Sequence, residues 1–225
     1  MLRLFAMFFV LQSVAPLAAA WDLDRKASVF AVVTHKEGLA AGLAHEHFVV
    51  ANDYEATIDV AGLFSDDVES AARFEFEVAV NDLRVDDPEQ SARWQERLLQ
   101  LELLGKPFAE LSEKDRKKIR KSMLGKKQLN AALHPQISAR LEEIRSDGDG
   151  SYFGTLHLTV ADHSVSKEIS FVLDGTERGV LRAEVTATFD FTDFGIKPYS
   201  AMLGSIRVAN TFHIFVVLVV NPPVS

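Results

Sequence analysis

The chain has 225 residues, no cysteine, and 32 acidic residues against 24 lysines and arginines, for a net charge of −8. The acidic balance argues against a nucleic-acid partner, because phosphate contacts need a cationic face. Without cysteine there is no disulfide framework and no thiolate metal site, and a chain of this length needs neither, since one domain of its size buries roughly 70% of its unfolded surface.

At the N-terminus, Arg3 precedes an apolar run from Leu4 to Val14, then Pro16 and the small residues Ala18, Ala19 and Ala20. This is the pattern of a secretory signal with a small-residue cleavage site. The run is too short to cross a hydrocarbon layer of roughly 30 Å. The expectation is a signal peptide over residues 1–20 and a soluble, exported, periplasmic domain over 21–225.

From there the chain reads as strands, whose side chains point alternately to opposite faces. The first is placed near Ser28 to Thr34. Tyr54, Ala56, Ile58 and Val60 then face one way, followed by Phe74, Phe76, Val78 and Val80. The period changes next. Asp87 and Pro88 form an N-cap and a first-turn proline, and Trp94, Leu98, Leu101 and Leu104 recur at helical spacing before Gly105,. Ser112 with Asp115 approximates a capping box for a second helix ending at Gly125. Together these make a helical insertion over about 87–133. Strands resume near Gln136 to Ile144, then at Tyr152, Leu156, Leu158 and Val160, at Ile169, Phe171 and Leu173, at Val185, Ala187, Phe189 and Phe191, and from Ile206 to Leu218. Asp147 to Gly150 and Asp174-Gly175 supply hairpin turns.

Eight such strands hide their apolar faces by closing into a barrel or by stacking as a two-sheet sandwich, and periodicity alone does not choose. A barrel of this size holds packed side chains or one small ligand.

Three stretches together resemble the YceI-like family of exported polyisoprenoid-binding proteins. They are Thr188 to Ile196 with Pro198 and Leu203 to Ile206; Gly154 to Val160 running through His163, Lys167, Glu168, Ile169 and Phe171; and Met123-Leu124-Gly125 with Leu129 and His134 to Ile137. Gly42 to His47 extends the similarity towards the start. The resemblance implies an eight-stranded antiparallel lipocalin-like barrel whose pore takes an isoprenoid tail, with no catalysis and no cofactor. Ala161 and Asp162 stand where the family has a glycine, and the helical insertion is large.

An apolar pore suits a hydrocarbon, since each buried CH₂ is favourable by about 0.8 kcal/mol. The sixteen phenylalanines either line such a pore or fill the barrel. The candidate ligand-binding residues are Leu156, Leu158, Phe171, Phe189 and Phe191, on the apolar sides of strands beside the family-like motifs. His45 and His47, two apart, project to one face of an extended segment and are candidates for a metal or a polar headgroup, although no H-E-x-x-H accompanies them. Asp193, Phe194 and Gly195 match the magnesium-binding triplet of kinases, but the remaining kinase motifs are missing, so Asp193 is read as a turn cap and Gly195 as its unusual backbone. The basic run from Lys117 to Lys127 is read as a solvated helix face. The expected partner is an apolar, isoprenoid-like lipid, with no membrane span and a monomer or dimer both open. The alternatives are a metal-dependent module or enzyme built on the two histidines, or a structural domain with a filled barrel.

Overall fold

Alternating sequence becomes strand nearly everywhere expected in the computed structural model, which describes residues 21–38, 45–60, 72–148, 150–175 and 179–222. The predicted signal and cleavage site at 1–20 lie outside these residues, as do Gly42, Leu43, Ala44 and Asp149. The strands are β1 (Asp22–Leu23), β2 (Val29–Glu37), β3 (His47–Ala51), β4 (Glu55–Asp59), β5 (Arg73–Ala79), β6 (Leu83–Val85), β7 (Gln136–Ser146), β8 (Ser151–Val160), β9 (His163–Gly175), β10 (Leu181–Asp190), β11 (Ser200–Ala201) and β12 (Ile206–Asn221). The helices α1 (Pro88–Gln100) and α2 (Glu113–Leu124) lie between β6 and β7.

One antiparallel sheet runs in the order β4, β5, β7, β8, β9, β10, β12, β2, β3, β6. Its two ends belong together. Ala51 pairs with Leu83 and Glu55 with Glu77, so β3 with β4 and β5 with β6 are two bent strands side by side. The Asn52 N–H donates to the Asp82 carbonyl at 3.2 Å across the bend. Counted this way the sheet curls round as eight antiparallel strands, the expected lipocalin-like barrel, with β1 and β11 as short additions on β12.

The strand β3 is absent from the sequence-based expectation, and its burial explains why. β2, β3 and β12 are covered on both sides, so they read as near-continuous apolar runs instead of alternations. Their inner face carries Phe30, Val49 and Val216, which pack with Phe76 and Val78. Their outer face carries Val33, Phe48, Val50, Phe215 and Val217, which pack under Trp94 and Leu98 of α1. The protein therefore has a second core outside the barrel. Arg97 of α1 fastens it by a two-pronged contact from Nε to the Glu184 carboxylate of β10 at 3.0 and 3.1 Å.

Both helices begin as their caps dictate. The Asp87 carboxylate accepts from the N–H groups of Glu89 and Gln90, and the Ser112 hydroxyl accepts from Asp115 N–H at 3.2 Å,. The first helix ends earlier than the spacing up to Gly105 suggests. Glu102 adopts a left-handed φ of 57°, and the N–H groups of Leu103 and Leu104 both return to the Leu98 carbonyl. That turn buries both leucines in the outer core. A straight helical continuation would have carried them past it.

Candidate functional site

The barrel interior is packed at one end and hollow at the other. At the packed end, Val60, Leu181 and Val220 close against Leu23, Leu173 and Leu218, and Tyr152 stacks on Phe171 at 5.7 Å between ring centres. Towards the other end lies a cavity of about 590 Å³, inside the roughly 300–1,000 Å³ span of small-molecule sites. Its floor is aromatic, with Phe30 stacked on Phe76 at 4.6 Å and on Phe74 at 5.8 Å. Its walls include Val78, Ile137, Ala139, Phe212, Ile214 and Val216, and Leu111, Ile119, Met123 and Leu129 close over it from the helical insertion. The few polar side chains, among them Thr34, His45, His47, Asp115, Lys118 and Gln128, gather towards the strand ends and α2.

Of the five predicted ligand-binding residues, Leu156, Leu158 and Phe191 line this cavity. Phe171 and Phe189 do not reach it. Phe171 belongs to the packed end, and Phe189 is only 4% exposed, its ring held 5.9 Å from Phe194 and 6.0 Å from Phe212. They point inwards as their alternation requires, but their level along the barrel places them against other rings. Phe30, Phe74, Phe76, Ile119 and Met123 line the cavity and were passed over. Phe74 and Phe76 of β5 carry the same alternation in sequence as Phe189 and Phe191, although Phe191 itself falls just past β10, in a 3-10 turn. Ile119 and Met123 sat on the apolar side of α2, and nothing local said what that side covers.

His45 and His47 both line the cavity, as their spacing on an extended segment implies, and His47 is committed to a partner. Its Nδ1 lies 2.7 Å from Oδ2 of Asp86, whose Oδ1 accepts from the Phe48 N–H at 2.8 Å. A carboxylate oxygen accepts, so Nδ1 is the donor of this bond and Nε2 is the ring nitrogen left facing the cavity side. Asp86 is buried in a left-handed backbone conformation at φ 52°, fixed from both sides by β3. Among the described residues no three His, Asp or Glu side chains gather to hold a metal ion. His134 faces Asp162 and His157 faces Ser166, while His163 donates to the Ala161 carbonyl.

Asp193 and Gly195 behave as a turn. Asp193 accepts from the Asp190 N–H at 3.3 Å, and Gly195 takes φ 68° with His163 3.0 Å from where a Cβ would stand. No helix among the described residues is long and apolar enough to cross a membrane.

A family model described as the YceI-like domain matches residues 21–220. In three dimensions the chain is similar to BcnA of Burkholderia cenocepacia at 13% identity and a TM-score of 0.59, covering 88% of this chain and 99% of that one. It is also similar to a polyisoprenoid-binding domain from Saccharophagus degradans implicated in plant cell wall breakdown, at 10% identity and a TM-score of 0.55, covering 91% of this chain and 99% of that one. No curated protein matches the chain in sequence.

Proposed function

The chain belongs to the YceI-like family, and from that premise we propose that it is an exported, periplasmic carrier that holds an apolar, polyisoprenoid-like lipid in its barrel and performs no catalysis. The observation that carries this reading is the cavity of about 590 Å³, closed by aromatic rings below and by the apolar side of α2 above. Each isoprene unit drawn into such a space gains about 4 kcal/mol before the cost of ordering it. The name of the Saccharophagus relative points to the same ligand class. A polar end of the lipid would meet His45 and the Nε2 of His47 at the rim.

The test is organic extraction and mass spectrometry of protein purified from its own cell envelope, beside an Ala139→Trp variant. Ala139 lines the cavity between its cross-strand neighbours Phe76 and Leu158, so an indole there occupies the space the lipid needs. The wild type should yield a long-chain lipid and the folded variant should not. Equal lipid from both would show that the lipid sits elsewhere. The same purified protein should begin at Trp21, and an intact apolar leader on it would remove export from the reading.

A further inference from the structure

We propose that the mouth end of the barrel is a docking surface for an anionic lipid bilayer, with α2 and its neighbouring turns meeting the headgroups. Its purpose, supplying lipid to the cavity, rests on the function proposed above, but the docking itself does not.

Charge is the first observation. Residues 113 to 127 hold eight cations and two acids in a chain whose net charge is −8, so the remainder is strongly negative. The cations divide by role. Arg116 turns back to the Leu111 carbonyl just before α2, and Arg120 donates to the Leu83 carbonyl of β6, holding the helix on the barrel. Lys117 pairs with Glu113. Lys114, Lys118, Lys121, Lys126 and Lys127 are exposed and enter no ion pair among the described residues. A positive face on a negative body orients a protein on an anionic surface, because the rest of the molecule is repelled.

Apolar exposure is the second, independent observation. Leu133, Tyr199 and Leu203 are three of the four exposed large hydrophobic residues described, and all three lie on connections at the mouth end. The side-chain amide of Gln128 donates to the Lys197 carbonyl at 3.2 Å, tying the turn after α2 to the loop that carries Tyr199 and Leu203. Leu203 is fully exposed yet sits at φ 55° and ψ 32°, a conformation leucine disfavours. Strain combined with exposure points to a use outside the fold. Lysines beside protruding Leu and Tyr side chains are what an interfacial surface requires, the charges at the headgroups and the apolar groups just beneath. An acidic protein would answer the lysines alone, and the apolar cavity directly under α2 favours the bilayer.

The experiment is co-sedimentation of the purified chain with phosphatidylglycerol-containing vesicles and with pure phosphatidylcholine vesicles. The proteins compared are the wild type, a variant combining Lys114→Gln, Lys121→Gln, Lys126→Gln and Lys127→Gln, and Leu203→Ser. All five positions are exposed, and circular dichroism checks that both variants fold. Anionic vesicles should bind the wild type and neutral ones should not. At about five-fold per lysine, the quadruple change should lower partitioning by about six-hundred-fold at low salt. That difference should shrink at high salt, whereas a loss of about ten-fold for Leu203→Ser should persist. Equal binding to both vesicle types, or undiminished binding by the quadruple variant, overturns the proposal, as does a wild type that ignores vesicles but binds an acidic protein. Ala139→Trp should dock like the wild type, so an empty cavity and a failed docking surface give different results.

Discussion

Phe189 lies near the end of β10 and Phe191, expected on the same strand face, instead opens the 3-10 turn that follows it, and a carboxylate at each should have opposite consequences. Phe189→Glu removes a ring from a site 4% exposed and packed against Phe194 and Phe212. Loss of the ring costs about 3–5 kcal/mol, and a carboxylate stripped of water without a partner adds several more. The total, about 6–10 kcal/mol, is comparable to the whole stability of a domain at about 5–15 kcal/mol. This variant should be largely unfolded at neutral pH. Phe191→Glu loses a half-buried ring 4.7 Å from Phe212 at a cavity wall where water replaces the lipid, for about 2 kcal/mol in all. At roughly 2–4 °C per kcal/mol for this size, its melting point should fall by about 4–8 °C while it loses its lipid. Thermal melts by circular dichroism and lipid mass spectrometry read the two effects separately. A Phe189→Glu protein melting within a few degrees of wild type would refute the packing argument. A folded Phe191→Glu protein with the full wild-type lipid content would refute the placement of the ligand.

Leu98→Ala, at a fully buried position in the outer core, should cost about 2–5 kcal/mol and leave the lipid content of the folded fraction unchanged, since that core faces away from the cavity; denaturant titration with lipid extraction checks both. Arg97→Ala should cost only about 1 kcal/mol because the guanidinium is 43% exposed,. Burial opposes ionisation of Glu184, but its hydrogen bonds from Arg97 and Arg182 outweigh it and hold the carboxyl below its ordinary range, so a double-mutant cycle with Glu184→Gln should return a favourable coupling. Burial first, and the charge of His35 second, push His213 below its ordinary 6.5. The unfolded chain therefore takes up this proton before the folded one does, so stability should be lost as the pH falls from 6.5 through the lowered value. His213→Gln should flatten that part of a stability-against-pH curve, and an unchanged slope would count against it.

Strand identity was legible in the sequence wherever one face of a strand meets water. There, polar and apolar residues must alternate, and Phe74 to Val80, Leu156 to Val160 and Val185 to Phe189 did so. Helix starts were legible too, because Asp87 and Ser112 act on N–H groups two or three residues away. Three features belong to tertiary structure alone. The strand β3 was hidden because α1 covers its outer face, erasing the alternation that only solvent imposes. The end of α1 depended on Leu103 and Leu104 finding a core made by β2, β3 and β12, from distant parts of the chain. The division of Phe189 from Phe191, and with it the position of the cavity, depended on height along the barrel. Alternation says which face a side chain takes and nothing about what stands opposite it, and across a barrel that neighbour is set by the register of strands far apart in the chain.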